Sequence, residues 1–227
     1  MKKRILLLLL VCFFTCYAFS QAINDAGLWA SLNLEKKVSK RLEFVLTQSI
    51  RIKENYSSVN LFYTDIGMGI KPFGFMKVVF SYRAIQKARL DETYSFRHRL
   101  TMDVVLKRKF GRVVTSFRQR LQTQVSNVYS SETGKLPEWL AREKLEIKYD
   151  LDKPIEPYVS VELRYQLKDP KNMPFNGTWN RVRYTFGLDY KLNDKNAFSL
   201  YYIIQRGFNI PEPQNLYITG IAYTLSL

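Results

Sequence analysis

Between Arg181 and Leu192 the chain alternates one residue at a time. Val182, Tyr184, Phe186, Leu188, Tyr190 and Leu192 make an apolar, largely aromatic row; Arg181, Arg183, Thr185, Gly187, Asp189 and Lys191 make a polar one. Period two sends successive side chains to opposite faces of an extended strand, and nearly the whole chain carries it. In 93–108 the row Tyr94, Phe96, His98, Leu100, Met102, Val104, Leu106 opposes Ser95, Arg97, Arg99, Thr101, Asp103. In 155–167 the row Pro157, Val159, Val161, Leu163, Tyr165, Leu167 opposes Tyr158, Ser160, Glu162, Arg164, Gln166. The pattern predicts strands over 28–38, 42–53, 59–71, 76–87, 93–108, 112–125, 139–151, 155–167, 179–192, 196–208 and 216–227. No stretch sustains a helical period.

Alternation alone fits a soluble antiparallel barrel as well, with the apolar row turned inward. Other features favour the reverse orientation. Many of the strands run for about 12–16 residues, against about 5–6 in soluble proteins. Their connections alternate between short ones ("VSKR", "KFG", "LNDK") and long ones ("NVYSSETGKLPE", "KDPKNMPFNG"), as in outer-membrane barrels. Turning Arg181 and Arg183 toward hydrocarbon would cost roughly 2–4 kcal/mol each at the midplane. The expected fold is therefore all-β: a single closed antiparallel transmembrane β-barrel of 10–12 strands, apolar row to lipid and ionic row to the lumen. Trp29, Tyr94, Trp139, Tyr158, Trp179, Tyr190 and Tyr217 suit the aromatic girdles at the two interfaces.

Two features strain this expectation. Glu143 falls on the outward row, so either 139–151 projects above the bilayer or a bulge shifts its register there. Eleven segments also sit awkwardly with the even strand numbers of bacterial single-chain barrels. Either a short strand precedes 28–38, or 28–38 stands outside the barrel.

The first residues read as a secretory signal peptide over 1–20, with the barrel domain over 21–227. Lys2, Lys3 and Arg4 precede an apolar run, and Ala18 and Ser20 sit at small-residue cleavage positions. That run is too short for a membrane-spanning helix, which needs about 20 apolar residues. Cleavage would remove Cys12 and Cys16, both cysteines of the chain, and lower the net charge from +15 to +12. Disulfides and thiolate chemistry are then excluded. The expected location is the bacterial outer membrane.

The stretches "GLWASLNLEKKVSKRLEFVLTQSIR" (27–51) and "YTDIGMGIK" (63–71), the units "FRHRL" (96–100) and "FRQRLQ" (117–122), and the closing "YITGIAYTLSL" (217–227) resemble a family of short bacterial outer-membrane barrels known only as a domain of unknown function. The resemblance spans nearly all of 27–227. It implies a porin-like outer-membrane barrel and brings no reaction with it.

The chemistry lies in the polar rows. Arg83, Arg97, Arg99, Arg118, Arg120, Arg142, Arg164, Arg181 and Arg183 share the lumen side with Glu43, Asp65, Asp103, Glu146, Glu162 and Asp189. Guanidinium and carboxylate groups pair bidentately. Arg97, Arg99, Arg118, Arg120, Arg181 and Arg183 are expected to pair with Asp103, Glu146, Glu162 and Asp189. The favoured outcome is an ionic plug, since small barrels are filled by side chains; the arginine excess leaves a narrow anion-preferring pore open. Catalysis is not expected. His98, the single histidine, stands on the apolar row with Ser95 on the opposite face, so no Ser–His pair forms. A lipid-modifying enzyme is the alternative, and a soluble periplasmic ligand-binding barrel the third. No cofactor or metal site is expected. The expected partners are outer-membrane lipids, with Lys40, Arg41, Lys71, Lys107, Arg108, Lys109, Arg112 and Lys195 neutralising headgroups, and the barrel-assembly machinery through the last strand. Basic residues spread among strands rather than gathered on one groove argue against nucleic acid.

Overall fold

The computed structural model describes residues 23–89, 93–126, 136–170 and 176–227; the expected signal peptide lies outside them. Eleven strands follow one another: β1 (Ile23–Lys37), β2 (Leu42–Lys53), β3 (Ser58–Phe73), β4 (Met76–Ala88), β5 (Tyr94–Phe110), β6 (Val113–Ser126), β7 (Glu138–Tyr149), β8 (Ile155–Lys168), β9 (Thr178–Lys191), β10 (Asn196–Gly207) and β11 (Gln214–Ser226). They form one closed barrel in sequence order, with β1 hydrogen-bonded to β11. Hydrocarbon supplies no partner for an open strand edge, and closure removes the edges.

The strand number is odd, and the seam shows how the barrel accommodates it. In an up-and-down barrel of eleven strands the first and last run the same way. β1 and β11 accordingly pair in parallel, from Ile23 with Gln214 to Glu35 with Ser226. The segment expected over 28–38 is thus a full barrel strand that starts at Ile23, and no additional strand is needed to close the sheet.

One end of the barrel carries the turns 38–41, 74–75, 111–112, 150–154 and 192–195. The other carries the connections 54–57, 89–93, 127–137, 169–177 and 208–213. The connection 54–57 is the tight one at the long-loop end. Glu54, Asn55 and Tyr56 all have positive φ, and the Asp25 carboxylate holds the turn by accepting the backbone N–H groups of Glu54 and Asn55 at 3.1 and 3.0 Å.

The barrel is inside-out relative to a soluble one. Ile66, Leu100 and Leu200 are 57%, 58% and 56% exposed, whereas Gln122 and Asn180 are 1% and 2% exposed. Two girdle assignments are overturned: Trp29 and Tyr158 point inward, Trp29 against Arg51 and Tyr158 against Gly187. Tyr94, Trp139, Trp179 and Tyr190 are on the exposed outer wall.

Two local devices shape the lumen. Tyr158 and Tyr201 lie flat over Gly187 and Gly220. A Cβ at Gly187 would stand 2.3 Å from the Tyr158 ring, and one at Gly220 1.9 Å from that of Tyr201, so any larger residue would have to displace the ring. The second device is a register shift between Arg164 and Tyr165: Arg164 pairs with Arg181 and Tyr165 with Trp179, which leaves Asn180 as the extra residue. Strict alternation would put Trp179 and Arg181 on one face. The bulge sends Trp179 out and lets both Asn180 and Arg181 face in.

Glu143 is not rescued in this way. The irregularity in β7 lies between Trp139 and Leu140. Arg142 and Lys144, its neighbours, both engage lumen carboxylates, so Glu143 faces outward midway along the strand.

Candidate functional site

The inward rows enclose a cavity of about 940 Å³ at the long-loop end. Its rim carries Asp25, Lys53, Glu54, Arg89 and Gln214, and its deepest side chains include Arg118, Arg120 and Glu162. Thirteen cationic side chains line it against four carboxylates. Every arginine assigned to the lumen from the sequence lines this cavity.

Glu162 is the hub. It receives Arg118 at 2.6 Å, Arg183 at 3.1 Å and Arg142 at 3.6 Å. Arg120 grips Asp103 through two bonds, at 2.6 and 2.5 Å, and Arg83 reaches Asp65 at 2.6 Å. Glu138, which also lines the cavity, accepts from Gln166 Nε2 at 3.3 Å and forms no ion pair among the described residues. Among the described residues no carboxylate lies within 4 Å of Arg51, Arg97, Arg99, Arg164 or Arg181, so Arg97, Arg99 and Arg181 depart from the expected pairing. Arg99 donates to Gln124 Oε1 at 3.0 and 2.5 Å, and Arg164 to Asn180 Oδ1 at 2.7 Å. Arg51 stacks 3.7 Å above the Trp29 ring and 5.2 Å from that of Tyr63, a cation–π arrangement. Buried polar atoms nonetheless remain without partners: both amide atoms of Gln122, and Nε of Arg51, Arg97, Arg118 and Arg142.

The short-turn half of the lumen is built differently. Glu146 and Asp189 pair with lysines rather than arginines: Lys144 with Glu146 at 2.6 Å, and Lys148 with both Asp189 and Glu156. Glu43 takes Lys71 at 2.8 Å and also Lys77. Tyr158 and Tyr201 fill much of the remaining space. At the rim Lys109 meets Asp150 and Arg112 meets Asp152, each at 2.7 Å. Lys71, Lys109 and Arg112, which were expected at headgroups, thus each have a carboxylate partner within the protein.

Sequence reasoning missed Arg51, Trp29, Gln122 and Asn180 as members of this site. Parity would have found Arg51 and Gln122, which share rows with Ser49 and with Arg118 and Arg120. His98 lies on the outer wall, its Nδ1 2.6 Å from the Tyr82 hydroxyl, while Ser95 is buried on the lumen side and donates to the Lys87 carbonyl at 3.3 Å. Among the described residues no group of three or more His, Cys, Asp or Glu side chains is placed to hold a metal ion.

The family described as "Protein of unknown function (DUF2490)" matches residues 26–216, and the chain belongs to it. No curated protein matches. Among solved structures, the chain is similar to the NanC porin (TM-score 0.54, 11% identity, covering 89% of this chain and 98% of that one). It is also similar to the β domain of the Bordetella autotransporter BrkA (TM-score 0.52, 11% identity, 84% and 86% covered). LpxR from Salmonella typhimurium follows (TM-score 0.50, 8% identity, 86% and 87% covered). At these identities the likeness is one of fold: the chain has the fold of outer-membrane β-barrels.

Proposed function

We propose that this member of a family without an assigned role is a non-catalytic barrel of the bacterial outer membrane, and that its lumen is a narrow anion-preferring pore. The observation that carries the reading is the set of five arginines, Arg51, Arg97, Arg99, Arg164 and Arg181, that face the cavity with no carboxylate within 4 Å among the described residues. A self-satisfied plug would have spent them. Fixed positive charge in a low-dielectric wall concentrates anions, and rings of Arg or Lys select anions in pores. The cavity, about 940 Å³, is of the size that holds a small organic ligand and exceeds the needs of one inorganic ion. Unpartnered Gln122 amide atoms offer a donor and an acceptor to whatever enters. The tyrosines and lysine–carboxylate pairs of the short-turn half form the constriction.

On this reading the signal peptide exports the chain, outer-membrane lipids surround the apolar wall, and β11 addresses the chain to the assembly machinery. The fold likeness to LpxR supplies no chemistry here. The one histidine bonds a tyrosine on the outer wall, so the barrel is expected to leave phospholipid and lipid A analogues intact.

Planar-bilayer recording under a KCl gradient tests the pore. The expected result is a small steady current whose reversal potential follows chloride, with that preference reduced in R51Q/R97Q/R181Q. Absence of current would return the lumen to a sealed plug, and a current whose selectivity the triple variant leaves untouched would overturn the role given to these arginines.

A further inference from the structure

The outer wall carries a polar island that the lumen does not use. Glu143 faces outward halfway along β7. Its register partner on β6 is Gln119, which also faces outward because Arg118 and Arg120 on either side reach lumen carboxylates. Directly opposed residues in an antiparallel pair hold their Cβ atoms about 4.5–5.5 Å apart. Among the described residues neither side chain has a hydrogen-bond or ion-pair partner. Around them lie Phe117, Leu121, Leu145 and Val161, all exposed.

In hydrocarbon an ionisable side chain at mid-height needs a partner, and such residues mark functional contacts. Headgroups are too far from mid-height to supply one, and acyl chains carry no donor. The island is, however, complementary to itself. It sets an amide donor beside a carboxyl acceptor, and a two-fold rotation exchanges the two. A two-fold contact is isologous: residue i of one copy meets j of the other, and j meets i.

We propose that the β6–β7 wall is the contact surface for a second copy of this chain, with the Gln119 amide N–H of each copy donating to the Glu143 carboxyl of the other. Ala141, next on the same outward row, is small enough to let the two walls approach, as small residues do between membrane segments. The proposal is independent of whether the lumen conducts.

Cysteine cross-linking in native outer membranes tests it. Both natural cysteines precede residue 21, so A141C introduces a single thiol into the mature chain, and L32C places one on the opposite wall, where Leu32 is exposed. Under oxidation A141C is expected to give a species of twice the monomer mass and L32C none. Adding E143L to A141C is expected to reduce that species to the L32C level, while heat-modifiable migration shows the barrel still folded. Q119L provides the same arm should E143L fail to fold. Equal cross-linking at 141 and 32, a product of any other mass, or a dimer that survives both leucine substitutions overturns the proposal.

Discussion

The two halves of the lumen solve the same problem with different side chains. Near the short turns, lysines and carboxylates are matched: Lys144 with Glu146, Lys148 with Asp189 and Glu156, Lys71 and Lys77 with Glu43. The space between them is taken by Tyr158 and Tyr201, folded onto glycines. Near the long loops eleven of the thirteen cations are arginines, the carboxylates run short, and a cavity remains. Lysine presents a compact, strongly hydrated charge, whereas guanidinium is planar, weakly hydrated and tolerant of stacking. Arginine can therefore stand in a narrow lumen against Trp29 or Gln124 without an acid, and stay available. One half is a structure complete in itself; the other keeps arginines that no carboxylate engages among the described residues.

The sharpest break in this contrast is at Glu162, where one carboxylate serves three arginines. E162Q leaves those guanidiniums buried and without their charge partner, and removing one member of a buried ionic pair costs about 3–5 kcal/mol. Unfolding by denaturant in detergent micelles is expected to show a loss of that order. An unchanged midpoint would mean that the upper lumen is hydrated enough to do without the hub. The next largest effect is expected in the lower half. G220A drives a methyl group into the Tyr201 ring, and overpacking of this kind costs about 1–3 kcal/mol. If Tyr201 is displaced into the lumen, current should fall further; if it swings clear, current should rise, and recording distinguishes the two. Smaller still is the effect of R97Q or R181Q on stability. Neither arginine has an ion-pair partner among the described residues, so stability is expected to move by no more than about 0.5 kcal/mol, while anion preference drops. A large destabilisation there would show that these arginines are structural after all.

Much of this architecture was legible from parity. Period-two rows locate all eleven strands to within a few residues at nearly every boundary, because one face must meet an apolar medium and the other must not. That the barrel closes was expected, but the manner of its closure was not legible. An odd strand count closes through a parallel seam, and no residue in β1 or β11 announces that pairing. The inward turn of Trp29 and Tyr158 escaped for a related reason: an aromatic side chain suits both an interface and a glycine-backed wall, and Gly187 becomes informative only once register puts it opposite Tyr158. Asn180 shows the limit of alternation itself, since one bulged residue moves Arg181 to the lumen while Trp179 stays outside. The division of acids between lysine and arginine depends on distances across the barrel, which sequence spacing does not encode.

The smallest effect sharpens the comparison at its edge, where the paired half meets water. Asp150, in the turn 150–154, accepts a hydrogen bond from Lys109 Nζ at 2.7 Å and another from the backbone N–H of Asp152. The Lys109 ammonium, and after it that N–H, hold the carboxyl below the usual aspartate range. A depressed carboxyl stabilises the folded state above its unfolded pKa, and the contribution is lost as pH falls through the folded value. The pair is open to solvent, so salt screens it, whereas buried pairs are screened much less. Thermal unfolding of wild type and D150N should thus differ slightly at neutral pH and low salt. The difference should vanish on acidification or at about 1 M salt, where the Debye length is about 3 Å. The contrast between E162Q and wild type should survive the same salt. If both contrasts collapse together, the lumen around Glu162 is as wet as the rim, and the distinction between a closed, paired half and an open, waiting half fails with it.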